Sequence, residues 1–264
     1  MTASENVVTA QMGATRVECH PDKGAACSMV AAELAERIRG RAADGRRLVL
    51  GLATGSTPIA LYEELVRLHR EEGLSLANVI TFNLDEYCGL PPENPESYHY
   101  FMAKNLFDHV DIPADQVHIP GGMTPDGEVE GHCRAYEEAI VAAGGIDVQI
   151  LGIGHNGHIG FNEPGSERDT RTRLVQLDGV TRGAAAATFG GIDMVPTEAI
   201  TMGVATIMEA REILLFAWGE GKAEAVKRAL HETVSPDMPA TFLQEHGNVT
   251  FILDGGSASQ LELS

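Results

Sequence analysis

The loop LGIGHNGHIGFNEPGS, residues 151–166, carries two histidines and a glutamate among five glycines, directly after an apolar run. His155 and His158 have i, i+3 spacing, but a flexible loop does not place them on a shared face, which disfavours a zinc site. The same loop reads GxGxxG, yet Glu163-Pro164 follow where a nucleotide-binding helix would begin. A carboxylate five residues after His158 can orient the imidazole and keep it basic. We therefore predict acid–base chemistry by His158 and Glu163, with His155 incidental; the alternative is a glycine turn in which His158 caps the backbone.

A second polar segment, residues 81–87 (TFNLDEY), continues an apolar run. Two adjacent acids at the end of a buried strand cost free energy unless they are solvated, paired or functional. Successive strand residues point to opposite faces, so Asp85 and Glu86 are expected to have different roles. We predict that Asp85 is a catalytic carboxylate; the alternative is a helix cap and a surface acid. The proline-rich segment 91–95 and then Tyr98 form a loop that could cover a site.

Two further segments could hold an anion. A strand-like run leads into a loop of glycine and hydroxyl residues, and Pro58 then marks the start of a helix. Free backbone amides, hydroxyl donors and the positive end of a helix dipole together suit a phosphate group. Lys222 opens another helix after an apolar run and could reach the same anion. The predicted phosphate-binding residues are Thr54, Gly55, Ser56, Thr57 and Lys222. The alternatives are a plain N-cap by Ser56 or Thr57 and a solvated lysine.

Alternating strand-like and helix-like segments must position these groups. Apolar runs predict strands at 48–53, 79–83, 117–119, 148–153, 213–218 and 249–253. Amphipathic spacing predicts helices at 26–39, 60–68, 132–143 and 222–231. This alternation predicts an α/β fold with a mainly parallel sheet and helices on both faces, in a single domain spanning 1–264. Ligands of such sheets bind at the carboxyl ends of the strands, where all four polar segments fall.

Composition narrows the class of protein. The chain of 264 residues has a formal net charge of −19, which argues against binding to nucleic acid or to anionic membranes. No apolar run approaches the roughly 18 residues of a membrane span, and the start of the chain does not have the pattern of a signal peptide. The four cysteines are scattered, which favours free thiols and a cytoplasmic location.

The combination of segments resembles the glucosamine-6-phosphate deaminase (isomerase) family. The similarity runs from LVLGLATGSTPIALYEEL through VITFNLDEYCGLPPENPESYHYFM and LGIGHNGHIGFNEPGS to GEGKAEAVKRAL, with matching order and spacing. The resemblance implies conversion of glucosamine 6-phosphate and water to fructose 6-phosphate and ammonia, without a metal or an organic cofactor. It also implies a single α/β domain of the modified doubly wound type.

The resemblance also assigns roles by position. Asp85 would remove the C2 proton and deliver it to C1. His158 would assist opening of the sugar ring, held by Glu163. Asn156 stands where many members have aspartate, and it can orient a neighbour but cannot take a proton. The 54–57 loop and Lys222 would hold the phosphate, and Tyr98 would lie on a mobile lid.

Several positions depart from the family pattern. Many members place an arginine on the phosphate where Ala187 stands here, so either Arg182 or another arginine compensates or the phosphate end is built differently. Galactosamine-6-phosphate deaminases also lack that arginine and share endings like residues 234–240, which keeps that substrate as an alternative. Allosterically activated hexamers carry a basic residue where Val175 stands and extend beyond Ser264. We therefore expect a monomer or small homo-oligomer, not activated by N-acetylglucosamine 6-phosphate.

Two other functions are weaker interpretations. A 6-phosphogluconolactonase shares the fold and a similar glycine loop, but Asn156 replaces its aspartate. A sugar-phosphate sensor would need a DNA-binding module, and the roughly 45 residues before the first predicted strand are too few and too acidic for a helix-turn-helix.

Overall fold

The computed structural model describes residues 7–263 of the chain. Its strands, in chain order, are β1 (Val8–Met12), β2 (Thr15–His20), β3 (Leu48–Leu52), β4 (Val79–Asn83), β5 (Asp85–Tyr87), β6 (Val117–His118), β7 (Val148–Gly152), β8 (Arg173–Gln176), β9 (Glu198–Thr201), β10 (Ile213–Ala217) and β11 (Val249–Asp254). Its α-helices are α1 (Lys23–Ala43), α2 (Ile59–Glu72), α3 (Tyr98–Asn105), α4 (Val129–Ala142), α5 (Gly179–Phe189), α6 (Val204–Met208) and α7 (Ala223–His231). Six short 3₁₀ helices connect them, the longest being Pro239–Glu245.

Eight strands form the main sheet in the order β1-β2-β11-β10-β7-β3-β4-β6. All neighbours are parallel except β1 and β2, which form an antiparallel hairpin. The strands β3, β4, β10 and β11 are buried almost throughout, as their continuous Val, Ile and Leu content predicts for a covered parallel sheet. The α/β class and the mainly parallel sheet are therefore confirmed.

The strand order reverses between β3 and β7, which lie side by side at the centre of the sheet. From this point β4 and β6 extend the sheet in one direction, and β10 and β11 extend it in the other. The loops after β3 and β7 must therefore leave toward opposite sides. Such a reversal opens a crevice at the carboxyl ends of the strands, where α/β proteins bind their ligands.

A second sheet of three antiparallel strands, in the order β5-β9-β8, was not predicted. A single residue, Leu84, separates β4 from β5. The chain therefore leaves the main sheet at Leu84 and pairs at once with β9. The pair Asp85 with Thr201 sits at the start of this ladder. The small sheet thus fixes the backbone of the predicted catalytic carboxylate at the edge of the main sheet.

The expectation that the first strand begins near residue 48 is wrong. The strands β1 and β2 precede it, and β2 pairs with β11 inside the main sheet. Helix α1 then begins after Asp22, whose side chain accepts a hydrogen bond from the amide of Ala25. Residues 8–20 therefore contribute to the same sheet as the rest of the chain. No helix within residues 7–263 is long and apolar enough to cross a membrane, and all four cysteines are free thiols.

Candidate active site

A cavity of about 290 Å³ lies where β3 and β7 diverge, and all four predicted polar segments contribute to its wall. Its polar lining residues are Thr54, Thr57, Asp85, Tyr87, His155, His158, Thr181 and Lys222. A larger groove of about 1040 Å³ between α4 and β8 contains none of the predicted site residues. Throughout the described part of the chain, no group of three or more His, Cys, Asp or Glu side chains is arranged to hold a metal ion.

Asp85 is the buried carboxylate of this cavity, with only 5% of its surface exposed. Burial, and secondarily the negative charge of Glu86, raise the pKa of Asp85 to about 8. The loop after β7 comes close to it, because a Cβ on Gly160 would lie 3.3 Å from Asp85 Oδ2. Gly160 also has a φ of +57°, so a side chain there would be strained as well as crowded. A carboxyl with a pKa near 8 can both take and return a proton at neutral pH.

His158 belongs to a chain of three hydrogen-bonded side chains. Its Nδ1 lies 2.7 Å from Asn156 Oδ1, and Asn156 Nδ2 donates to Glu163 Oε2 over 3.1 Å. Glu163 does not contact the imidazole by a direct hydrogen bond, because His158 Nδ1 and Glu163 Oε2 are 3.7 Å apart. Asn156 is therefore the bridge between them. An amide oxygen only accepts, so Nδ1 carries the proton and Nε2 is the basic nitrogen of the neutral ring.

The His158 ring occupies the space that a side chain at residue 154 would need. A Cβ on Gly154 would lie 2.3–2.5 Å from three atoms of the imidazole. The amide of Gly154 also donates to the carbonyl of His158 over 2.9 Å, which closes the loop on itself. Burial lowers the pKa of His158, and the nearby Glu163 opposes part of that shift. The imidazole is thus held flat against glycine backbone as a neutral ring.

The 54–57 loop and Lys222 also contribute to the wall of the cavity. Thr54 and Thr57 line the cavity, whereas Gly55 and Ser56 are exposed on the outside of the loop. Helix α2 follows with no side-chain cap, so amides at its start are open to an anion. Lys222 Nζ donates to the carbonyl of Ile153 over 2.7 Å, and burial lowers its pKa. The Trp218 indole donates to the Thr57 carbonyl, which ties the loop to the end of β10.

Helix α5 contributes no cation to the lining of the cavity. Its lining residues are Thr181, Ala184 and Ala185, and Ala187 is exposed outside the lining. Arg182 does not compensate for the missing arginine, because its guanidinium donates to the backbone carbonyls of residues 192 and 195. No arginine among residues 7–263 lines this cavity, and Lys222 is its one lysine.

Tyr98 is not among the residues that line the cavity, but it contacts two that are. Tyr98 lies at the start of α3, and its hydroxyl interacts with Thr54 and with the Tyr87 hydroxyl. Its ring stacks on Phe161 at a centroid distance of 6.0 Å. His155, expected to be incidental, lines the cavity beside Lys222, whose charge lowers the pKa of the imidazole. Spacing alone could not place His155, because it follows a glycine in an irregular loop.

Comparisons with known proteins agree with this architecture. The family model described as glucosamine-6-phosphate isomerases/6-phosphogluconolactonase matches residues 21–252. A glucosamine-6-phosphate deaminase of Rhodopirellula baltica is 50% identical over 246 residues, covering 93% of this chain and 96% of that protein. A glucosamine-6-phosphate deaminase of Oceanobacillus iheyensis is 54% identical over 206 residues, covering 78% of this chain and 82% of that protein.

Solved structures give the same result. A monomeric glucosamine-6-phosphate deaminase superposes with a TM-score of 0.87 at 43% identity, covering 92% of this chain and 98% of that one. A 6-phosphogluconolactonase from Trypanosoma brucei superposes with a TM-score of 0.75 at 23% identity, covering 93% and 98% of the two chains. The second likeness is one of fold alone.

Proposed function

We propose, from the premise that the chain belongs to the family of glucosamine-6-phosphate isomerases and 6-phosphogluconolactonases, that it converts glucosamine 6-phosphate and water to fructose 6-phosphate and ammonia. One observation carries the proposal: a single cavity is lined by Asp85, His158, Lys222 and the two threonines of the 54–57 loop. This reaction needs a group that opens the ring, one carboxylate that reaches two adjacent carbons, and a hold on the phosphate.

The phosphate is bound by the 54–57 loop, the amides at the start of α2 and Lys222. These contacts lie away from the reacting carbons, so their binding energy serves to orient C1 and C2 at the carboxylate. The hydrogen bond from Trp218 to the Thr57 carbonyl keeps the loop at a fixed distance from Lys222.

Ring opening is assigned to His158. Its Nε2 takes the proton of the O1 hydroxyl and returns a proton to O5 as the C1–O5 bond breaks. The neutral state that burial favours lets the imidazole act as a base at this step. The bridge through Asn156 to Glu163 then stabilises the positive charge that forms on the ring.

Asp85 carries out the aldose–ketose step on the open-chain sugar. It removes the proton from C2 as the carbonyl oxygen O1 takes a proton from water, which gives an enolamine. It then returns the proton to C1 as the amino group releases a proton to water, which gives an imine at C2. Water adds to the imine, and the carbinolamine releases ammonia to leave fructose 6-phosphate. The steps are therefore proton transfers, one addition of water and the release of ammonia.

The test is to incubate the protein with glucosamine 6-phosphate, galactosamine 6-phosphate and 6-phosphogluconolactone in parallel. We expect ammonia and fructose 6-phosphate in equal amounts from glucosamine 6-phosphate. Ammonia from galactosamine 6-phosphate alone would assign the C4 epimer as the substrate. Hydrolysis of the lactone without ammonia from either hexosamine would overturn the deaminase proposal.

We also propose that the chain acts in the cytoplasm as a monomer or small homo-oligomer without allosteric activation. A relative at 43% identity whose structure is known is described as monomeric, and free thiols suit a reducing compartment. Light scattering of the purified protein gives the mass. Initial rates should follow a hyperbola with or without N-acetylglucosamine 6-phosphate; a sigmoidal curve that this compound abolishes would contradict the proposal.

A further inference from the structure

Glu86 is a fully buried carboxylate beside Asp85 that the reaction steps do not use. Strand pairing turns it away from the cavity that Asp85 faces, because neighbouring strand residues point to opposite faces. A buried carboxylate needs strong hydrogen-bond partners, so its surroundings indicate what it holds.

Five donor positions converge on the two oxygens of Glu86. Its Oε1 accepts from the amides of Tyr87 and Tyr98 at 2.8 and 3.0 Å. Its Oε2 accepts from the Ser97 hydroxyl at 2.7 Å and the His99 amide at 3.1 Å, and His99 Nδ1 lies 2.8 Å away. Four of these five groups belong to residues 97–99, where α3 begins. One side chain thus joins the start of α3 to the strand that carries Asp85.

Tyr98, whose amide donates to Glu86, contacts residues of the cavity wall through its side chain. The Tyr98 ring packs against Tyr87 at a centroid distance of 5.0 Å and stacks on Phe161, which lies between His158 and Glu163 in the sequence. The Tyr98 hydroxyl interacts with Thr54 of the 54–57 loop. Displacing Tyr98 would therefore disturb two residues of the cavity wall, Tyr87 and Thr54.

We propose that Glu86 is a positioning residue that fixes the start of α3, and with it Tyr98, against the strand of the catalytic carboxylate. It acts through Tyr87 and Tyr98 and does not touch the substrate. The role in turnover rests on the proposed deaminase reaction, whereas the holding of α3 does not.

Glu86→Gln tests this role, because a carboxamide replaces one acceptor oxygen by an NH₂ group that faces donors. We expect kcat/KM for glucosamine 6-phosphate to fall by about 10-fold or more, mostly through KM. The midpoint of the pH profile of kcat/KM should also move to lower pH, because a negative charge beside Asp85 is lost. The other titratable groups near Asp85 are His158 and three tyrosines, Tyr87, Tyr98 and Tyr136. The pKa values of the tyrosines are raised, so these three side chains stay neutral.

Glu137→Gln is the matched control. Glu137 on α4 also accepts from a backbone amide and from two hydroxyls, those of Thr172 and Thr206, and it lies outside the cavity. We expect this variant to lower the melting temperature without changing KM or the pH midpoint. Equal losses of stability in the two variants, with KM and pH midpoint unchanged in both, would overturn the proposal.

Two further measurements distinguish a failure of the holding role of Glu86 from a failure of the proposed deaminase reaction. Ser97→Ala removes one donor to Glu86 and should shift KM in the same direction by about 3-fold, which covers the case that Glu86→Gln does not fold. Hydrogen exchange of the Tyr98 and His99 amides needs no substrate and should be faster in Glu86→Gln than in Glu137→Gln. Unchanged exchange would refute the holding role. An inactive wild type with the expected exchange would refute the deaminase reaction and leave the holding role in place.

Discussion

The cavity brings together two sets of residues that are constructed in different ways. We call Asp85 and the chain from His158 to Glu163 the reaction end, and the 54–57 loop with Lys222 the phosphate end, of the proposed site. At the reaction end, Asp85 is buried and the chain from His158 through Asn156 to Glu163 fixes the imidazole and its tautomer. At the phosphate end, Gly55 and Ser56 are exposed, and Lys222 is held by one hydrogen bond to a backbone carbonyl. In the proposed reaction, side-chain networks would preorganise the proton transfers, whereas backbone amides and a single lysine would hold the anion. Substitutions at the first end should lower kcat, and those at the second should raise KM.

Asp85→Asn gives the largest effect in this comparison. Losing the base should lower kcat by about 100- to 10,000-fold, because a positioned acid or base contributes that much. KM should change by no more than a few-fold, since the phosphate end is untouched. Ammonia release and exchange of the C2 proton with deuterated solvent measure the two quantities. Retained exchange would show that another group is the base.

Gly154→Ala is a second change at the reaction end. The added methyl group would occupy the volume of the His158 ring, so the imidazole must move away from Asn156. We expect kcat to fall by about 10- to 100-fold, because a shift of about 1 Å at a catalytic group costs about that much.

Gly131→Ala is the control for this substitution. Gly131 lies in α4 with open space around its Cα, so a methyl group there should be harmless. A normal kcat in Gly154→Ala would mean that the imidazole does not depend on the glycine backbone.

Lys222→Gln addresses the phosphate end. A charge-assisted hydrogen bond to a phosphate is worth about 1.5–3 kcal/mol, so KM should rise by about 10-fold or more while kcat changes less. Lys227→Gln on the same helix is the control, because that side chain is exposed and lies outside the cavity. If Lys222→Gln lowers kcat and leaves KM unchanged, the division between the two ends does not hold.

The central fold could be predicted from sequence because its strands are continuous apolar runs. All six predicted strands are present, within one residue at each end. The hairpin β1–β2 and the sheet β5-β9-β8 were missed. Apolar and polar residues alternate only weakly along their short strands, which carry polar residues such as Arg16, Glu18 and Asp85. Their pairing depends on tertiary contacts, which a local pattern does not record.

The residue types at the site were predictable, and their connections were not. Asp85, His158 and Lys222 fall at strand ends, where parallel sheets bind ligands. The bridging role of Asn156, the requirement for Gly154 and the place of His155 depend on the path of an irregular loop. The direction of Arg182 depends on how α5 turns over the cavity. Each of these features depends on distances of a few ångströms between groups. The sequence gives the order of these groups along the chain but not their separations in space.

The smallest expected effect concerns stability and contrasts two buried aspartates. Asp85 has a folded-state pKa near 8, far above that of an unfolded chain, so the folded protein binds more protons and its stability falls as pH rises from about 4 to 8. Asp85→Asn should therefore raise the free energy of unfolding by more than about 1 kcal/mol at pH 8, and by less at about pH 5.5. Asp147 is a buried aspartate with charged partners: Arg41, Arg211 and the Val49 amide donate to it, so Asp147→Asn should destabilise the fold. Urea unfolding of both variants measures this; an equal gain for Asp85→Asn at the two pH values would mean that desolvation of its charge is not the cause.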